Sequence, residues 1–164
     1  MASKLGRMAG PRWLNADENR LWMRLHAICE FVPGAVDAQL RKDSGLTRYE
    51  YYVLAMLSEF PGRSCMMTDL ATATNGSLSR LSHAATRLEE SGLITRGHVE
   101  NNRRATVATL TEAGWQKLVE SAPGHVEEVR KLIFDGLTGE QVRALNAALT
   151  PLVAALELPA FIQD

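Results

Sequence analysis

The stretch from Leu70 to Thr111 constrains the fold more than any other part of the chain. A short segment around Leu70 and Ala71 leads into Asn75-Gly76, a dipeptide that punctuates structure with a tight turn. A second segment, Leu78 to Ser91, carries Leu78, Leu81, Ala85 and Leu88 on one helical face, and Ser79, Arg80, His83 and Arg87 away from it. Gly92 stands where a helix closes in a left-handed residue. Leu93 to Val99 and Ala105 to Leu110, the latter with Thr106, Val107 and Thr109, read as paired strands around the polar tip Glu100-Asn101-Asn102-Arg103-Arg104. Two helices joined by a Gly turn and followed by a basic hairpin predict a winged helix-turn-helix. That unit lays one helix in the DNA major groove and brings the hairpin tip near the minor groove, so the expectation is a DNA-binding regulator.

Charge and composition narrow the classes further. The net charge is only -1, which excludes a strongly basic, nonspecific nucleic-acid coater. Between Ser77 and Arg104, however, five arginines (80, 87, 96, 103, 104) face three glutamates (89, 90, 100), a local +2 joined by His83 and His98. Hydrophobic residues make up 46%, enough for a substantial core. No apolar run reaches the ~18 residues of a membrane span. Residues 1–12 read as a basic tail without the apolar core of a secretory signal. Cys29 and Cys65 offer neither metal spacing nor a disulfide framework, so a reduced, cytoplasmic protein is expected.

Helices flank this centre on both sides, giving a mainly α chain with a small hairpin wing. Asn15, followed by Asp17 and Glu18, predicts a helix start. Leu21, Trp22, Leu25, Ile28, Cys29 and Val32 form its apolar stripe, and Pro33-Gly34 predicts a kink before Ser44. Thr47 to Glu50 is a capping box opening a second helix with Tyr51, Val53, Leu54, Leu57 and Phe60 inward. A short strand is expected at Met66 to Thr68, and Thr68 or Asp69 is expected to cap the next helix. Thr111 caps a long helix with the stripe Trp115, Leu118, Val119, Ala122, Val126, Val129, Leu132 and Ile133, bent at Pro123-Gly124 and stopped at Gly136. Thr138 to Gln141 is another capping box, opening a last helix with Val142, Leu145, Leu149, Leu152, Val153 and Leu156 inward. The organisation expected is one domain spanning 1–164, with the winged unit at 47–111 and flanking helices at 15–44 and 113–158. Those helices carry more apolar surface than a small winged unit buries, which points to a two-fold homodimer.

Over nearly its whole length the chain resembles the MarR family of bacterial regulators. The resemblance rests on the long first helix, Gly45-Leu46-Thr47, Asp69-Leu70-Ala71, Leu88-Glu89-Glu90-Ser91-Gly92-Leu93-Ile94, and Leu110-Thr111-Glu112-Ala113-Gly114 after the wing. Arg12 to Glu18, with Ala122-Pro123-Gly124-His125-Val126, looks like an actinobacterial branch of that family. One departure stands out: the family's wing usually has Asp, a variable residue and Arg, whereas this chain has Asn102-Arg103-Arg104. Asn102 supplies an acceptor without the charge that would orient the wing arginine.

These readings assign candidate residues. Arg80 suits the edge of guanine, because its guanidinium fork matches O6 and N7. Ser77 and Ser79, at a helix N-terminus, suit phosphate; His83 and Arg87 suit either. At the wing, Arg104 is assigned to the minor groove and Arg103 to phosphate, or the two exchanged, with Asn102 beside them. The resemblance implies interlocking terminal helices, a pseudo-palindromic operator with half-sites ~10 bp apart, and repression relieved by a small aromatic or phenolic ligand. Trp22 and His26 share one face of the first helix, with Trp13 and Arg20 on a neighbouring one; an arginine at such a crevice can hold a carboxylate. The plainer expectation is that Trp22 is core.

The competing readings are fewer. Redox control would need a reactive thiol, but Cys29 falls in the apolar stripe and Cys65 in a loop. No catalytic motif or metal-ligand spacing is visible, so no enzyme, cofactor or metal is expected. A winged protein-interaction module without DNA binding is the remaining alternative, supported by Asn102 and the net charge of -1.

Overall fold

The computed structural model describes residues 11–99 and 102–156; the side chains of 99 and of 102–104 lie outside that description. The described residues divide into two compact units at the boundary between Gly34 and Ala35. Six α-helices appear among the described residues: α1 (Ala16–Ser44), α2 (Arg48–Glu59), α3 (Met67–Ala73), α4 (Leu78–Glu90), α5 (Glu112–Val129) and α6 (Gly139–Ala154). Three strands join them, β1 (Ser64–Met66), β2 (Ile94–Val99) and β3 (Asn102–Leu110), forming an antiparallel sheet in the order β1-β3-β2.

Local chemistry sets most boundaries. Asn15 Oδ1 accepts from the amides of Asp17 and Glu18, and Glu18 returns the bond to the Asn15 amide, so α1 starts on a reciprocal cap. Capping boxes open α2 (Thr47 with Glu50) and α6 (Thr138 with Gln141), as their spacing predicts. Ser77 and Thr111 cap α4 and α5 through their hydroxyls. Gly92 has φ +71°, and the amides of Gly92 and Leu93 bond the carbonyls of Glu89 and Leu88, closing α4 in a Schellman turn. Helix α1 stays helical through Pro33-Gly34, and α5 through Pro123-Gly124. A single wide turn, Arg130–Phe134, follows α5 and ends just before Gly136.

The core of the second unit is built from α2, α3, α4, the sheet and the start of α5. Val53, Leu54 and Leu57 of α2 meet Leu70, Leu81, Ala85, Leu88, Ile94 and Ala108, all essentially solvent-free. Val36 and Leu40 of α1 are buried as well.

Several expectations are corrected here. The short strand lies at Ser64–Met66, where it pairs with Val107 to Thr109, so Cys65 is a strand residue and not a loop residue. Helix α3 begins after Met66 with no side-chain cap, so neither Thr68 nor Asp69 serves that role. Leu78 is half exposed, and Ala84 takes its place on the buried face of α4. The stripes of the terminal helices are largely uncovered within one chain: Leu21, Trp22 and Ile28 are at least half exposed, Cys29 is exposed, and α6 has no buried residue. Periodicity reports that a face is apolar; it does not say whether the same chain covers it.

Candidate nucleic-acid interface

Helix α4 presents the surface in question. Leu81, Ala84, Ala85 and Leu88 pin it to the core, which leaves Ser79, Arg80, Ser82, His83, Thr86 and Arg87 exposed along the other side. Its entry is set by a turn in which Asn75 has φ +46° and the Gly76 amide bonds the Ala71 carbonyl. Ser77 Oγ accepts from the Arg80 amide at 3.2 Å, so its hydroxyl is already a structural cap, with its proton left to donate. The β2–β3 hairpin follows directly, with Ile94 opposite Leu110 and His98 opposite Thr106, and an irregularity between His98 and Val99. A cleft of about 200 Å³ between the start of α4 and the hairpin is lined by Met66, Met67, Leu78, Ser82, Arg96 and Thr106.

The arginines of this region differ in what they touch. Arg87 Nε donates to Glu50 Oε1 at 2.5 Å, and Glu50 is buried while half of the Arg87 side chain stays exposed. Burial works against ionising Glu50, but the Thr47 amide, the Arg87 guanidinium and the Thr47 hydroxyl together hold its carboxyl below the usual range. Arg96 is committed more fully: Nε and Nη2 both donate to Glu89 Oε2, at 2.9 and 2.6 Å, its amide donates to Oε1, and Nη2 also reaches Thr86 Oγ1. That guanidinium holds the Glu89 carboxyl below its ordinary range. The pair straps β2 to α4. Arg80, by contrast, has no carboxylate partner among the described residues; its guanidinium lies over the ring of Tyr49, 4.1 Å from the centroid.

Glu89 is already set against the five arginines in the local count, but Glu50 reaches in from α2 to pair with Arg87, so that count overstates the cationic face. Sequence reading missed Glu50, which recruits an arginine from a different helix, and Tyr49, which appeared only as an internal residue of a capping box. The capping-box spacing marks Glu50 as a helix cap and carries no sign of its burial. The wing residues Asn102, Arg103 and Arg104 start β3, and their side chains lie outside the described residues, as do residues 100 and 101 entirely.

The candidate ligand residues come together only in part. Trp22 and His26 stack with ring centroids 5.8 Å apart, both exposed on α1. The expectation that Trp22 is core does not hold within the chain, where it is 55% exposed. Arg20 is paired with Asp17 on the helix surface, and Trp13 precedes the helix at 83% exposure. The Cys65 thiol is pushed up to about 11 by burial and by Asp69, which leaves little thiolate at neutral pH.

The elements and their order define a winged helix-turn-helix protein with long flanking helices. The family model described as the MarR family matches residues 44–105. Two solved structures from Streptomyces coelicolor are similar over nearly the whole chain. The MarR family transcriptional regulator Sco3205, solved in complex with DNA, is 36% identical, with a TM-score of 0.83, covering 93% of this chain and 94% of its own. AbsC, another MarR family transcriptional regulator, is 38% identical, with a TM-score of 0.80, covering 89% and 98%. The HTH-type transcriptional regulator YfiV of Bacillus subtilis is 28% identical over 148 residues, 88% of each chain. The protein belongs to the MarR family of transcriptional regulators, and is not an enzyme. Among the described residues no helix is long and apolar enough to cross a membrane, and no group of three or more His, Cys, Asp or Glu side chains could hold a metal ion.

Proposed function

We propose that the chain is a homodimeric repressor that reads a pseudo-palindromic DNA operator with α4 and grips the flanking minor groove with its hairpin. The observation that carries this reading is the exposed polar face of α4, on which Arg80 keeps its N–H donors uncommitted among the described residues. Arg80 reads a guanine edge. Ser77 and Ser79 meet phosphate at the helix start, His83 follows one turn on, and Arg87 contributes its exposed half from its Glu50 anchor. Asn102, Arg103 and Arg104 form the wing contact, Arg104 in the minor groove. A relative 36% identical over 93% of the chain has been solved with DNA, which supports the same use of this surface.

Dimerisation follows from the apolar stripes. Leu145, Leu152 and Leu156 near the C-terminus, with Trp22, Ile28 and Phe31 on α1, expose a quantity of apolar surface that a second copy would cover. A small aromatic ligand meeting the Trp22–His26 stack would favour a dimer spacing that misfits the operator and so relieve repression.

Selection from a random DNA pool with the purified protein tests this function. A two-fold-symmetric site is expected, with affinity falling steeply as salt rises through counterion release. Arg80→Ala should weaken binding to that site, and Arg104→Ala should weaken it and lower the salt dependence. A folded protein that enriches no sequence at low salt would instead favour an interaction module.

A further inference from the structure

We propose that Tyr49, on α2, is the positioning residue for Arg80: it holds the guanidinium in place through its ring and so sets base discrimination. The inference rests on the reading that α4 contacts DNA.

Three observations meet at this tyrosine. Its ring supports Arg80 Cζ at 4.1 Å, although the residue is only 8% exposed. Its hydroxyl lies 3.0 Å from Thr74 Oγ1, the residue that ends α3. Thr74 Oγ1 has a single proton, and it lies 2.8 Å from the Leu70 carbonyl, so the phenol is the donor to Thr74. Finally, a Cβ at Gly76 would stand 2.2 Å from the phenol oxygen, so the glycine of the turn before α4 is the space the hydroxyl occupies. The ring is fixed at its tip by the turn that aims α4, and its face carries the arginine that α4 presents.

Stacking suits this task in a way an ion pair does not. Arg87 and Arg96 are ordered by carboxylates that consume donors. A ring face orders a guanidinium through cation–π attraction and planar contact while leaving its in-plane N–H groups available. Binding then freezes little additional side-chain freedom, and the bidentate geometry a guanine edge demands is already approximated. Arg80 read in isolation would be a flexible surface arginine; on Tyr49 it is a preset probe.

The test compares full-length wild type, Arg80→Ala, Tyr49→Leu, Tyr49→Phe and the Tyr49→Leu/Arg80→Ala double variant, by competition binding against every single base-pair change in the selected operator. Arg80→Ala is expected to flatten discrimination at one symmetry-related base pair, by about tenfold or more. Tyr49→Leu should flatten the same base pair and leave the others unchanged, Tyr49→Phe should restore it, and the double variant should lose no more than Arg80→Ala does. A uniform loss across all base pairs in Tyr49→Leu, or an unchanged profile, overturns the positioning role, as does an Arg80→Ala profile that matches wild type. If Tyr49→Leu does not fold, the Arg80 side-chain protons of the free wild type decide: ring-current upfield shifts, retained in Tyr49→Phe, support the stack, and ordinary shifts overturn it. A folded wild type that enriches no site overturns the DNA reading and this inference with it, whereas a wild type that enriches a site isolates any failure to Tyr49.

Discussion

Arg87 and Glu50, 37 positions apart, join α4 to the N-terminus of α2 through a single carboxylate that faces two ways. Oε1 accepts from Arg87 Nε at 2.5 Å, and Oε2 accepts from the Thr47 amide at 2.8 Å. The same group completes a helix cap and holds the helix that carries Arg80. Upstream, Asp37 of α1 accepts from the Arg48 amide at 2.8 Å and from Arg41, and its carboxyl is held below its usual range chiefly by Arg41. A run of polar contacts thus links the last turns of α1 to α4 by way of the start of α2.

Removing that carboxylate should be costly. Glu50→Ala is expected to lower stability by about 2–3 kcal/mol, since it leaves the Thr47 amide uncapped and removes a charge-assisted bond to Arg87. Glu50→Gln should cost less, because the amide oxygen still caps Thr47. Urea denaturation checks both, and equal losses for the two variants would show that the charge carries the whole effect and that a neutral acceptor at Thr47 adds nothing.

Stability should fall with acid in two separable windows. His125 is half-buried against Tyr51, ring centroids 4.6 Å apart, its Nδ1 is buried without a partner among the described residues, and burial pushes its pKa below the ordinary value. A depressed histidine pKa favours the neutral folded state, so this contribution is present above pH ~6.5 and is lost as the pH falls through the folded-state value. Glu50, also depressed, keeps its contribution above pH ~4.5 and loses it at lower pH. In thermal melting across pH 4–8, the loss of stability that wild type shows as the pH falls below ~6.5 should be absent from His125→Phe; a variant that shows the same loss would assign the first window elsewhere.

Gly114→Ala should be among the most damaging single changes. A Cβ there would lie 2.0 Å from the Leu93 carbonyl oxygen and 2.7 Å from Leu110 Cδ1, and backbone cannot step aside as a side chain tip can. A loss of at least about 3 kcal/mol is expected, from overpacking at a site that cannot relax. Gly76→Ala should cost less, because the obstructing atom is the Tyr49 hydroxyl. Denaturation midpoints that rank the two in the opposite order would contradict this.

The apolar face of α6 should govern assembly. Leu145 and Leu152 are 42% and 50% exposed in the single chain. Leu145→Glu/Leu152→Glu is expected to give a folded monomer at micromolar concentration in sedimentation velocity, against a dimer for wild type. The monomer should also bind a single half-site with much reduced affinity.

Much of this fold was legible in the sequence because its signals are local. Asn15, Thr47 and Thr138 each accept from an amide three residues on whose own side chain returns the bond, so an Asn or Thr followed at that spacing by Glu or Gln marks a helix start without knowledge of the rest of the chain. Gly92 marks the end of α4 for an equally local reason, a positive φ that glycine tolerates. The exposed side of α4 with Ser79, Arg80, His83 and Arg87 follows from helical periodicity alone.

What the tertiary structure decided depends on residues far apart in the chain. Glu50 and Glu89 claim Arg87 and Arg96, and no spacing rule distinguishes these arginines from Arg80. Leu78 is apolar and in phase with the α4 stripe, yet it is half exposed because burial depends on what packs opposite it. The sequence by itself determined where the capped helices α1, α2, α5 and α6 begin and which faces are apolar, since caps and periodicity are properties of short segments; the uncapped start of α3 left no such mark. Only the packing of α2, α3 and α4 decided that Tyr49 lies under Arg80, because that contact exists only when a turn, a ring and a helix face are brought to one place.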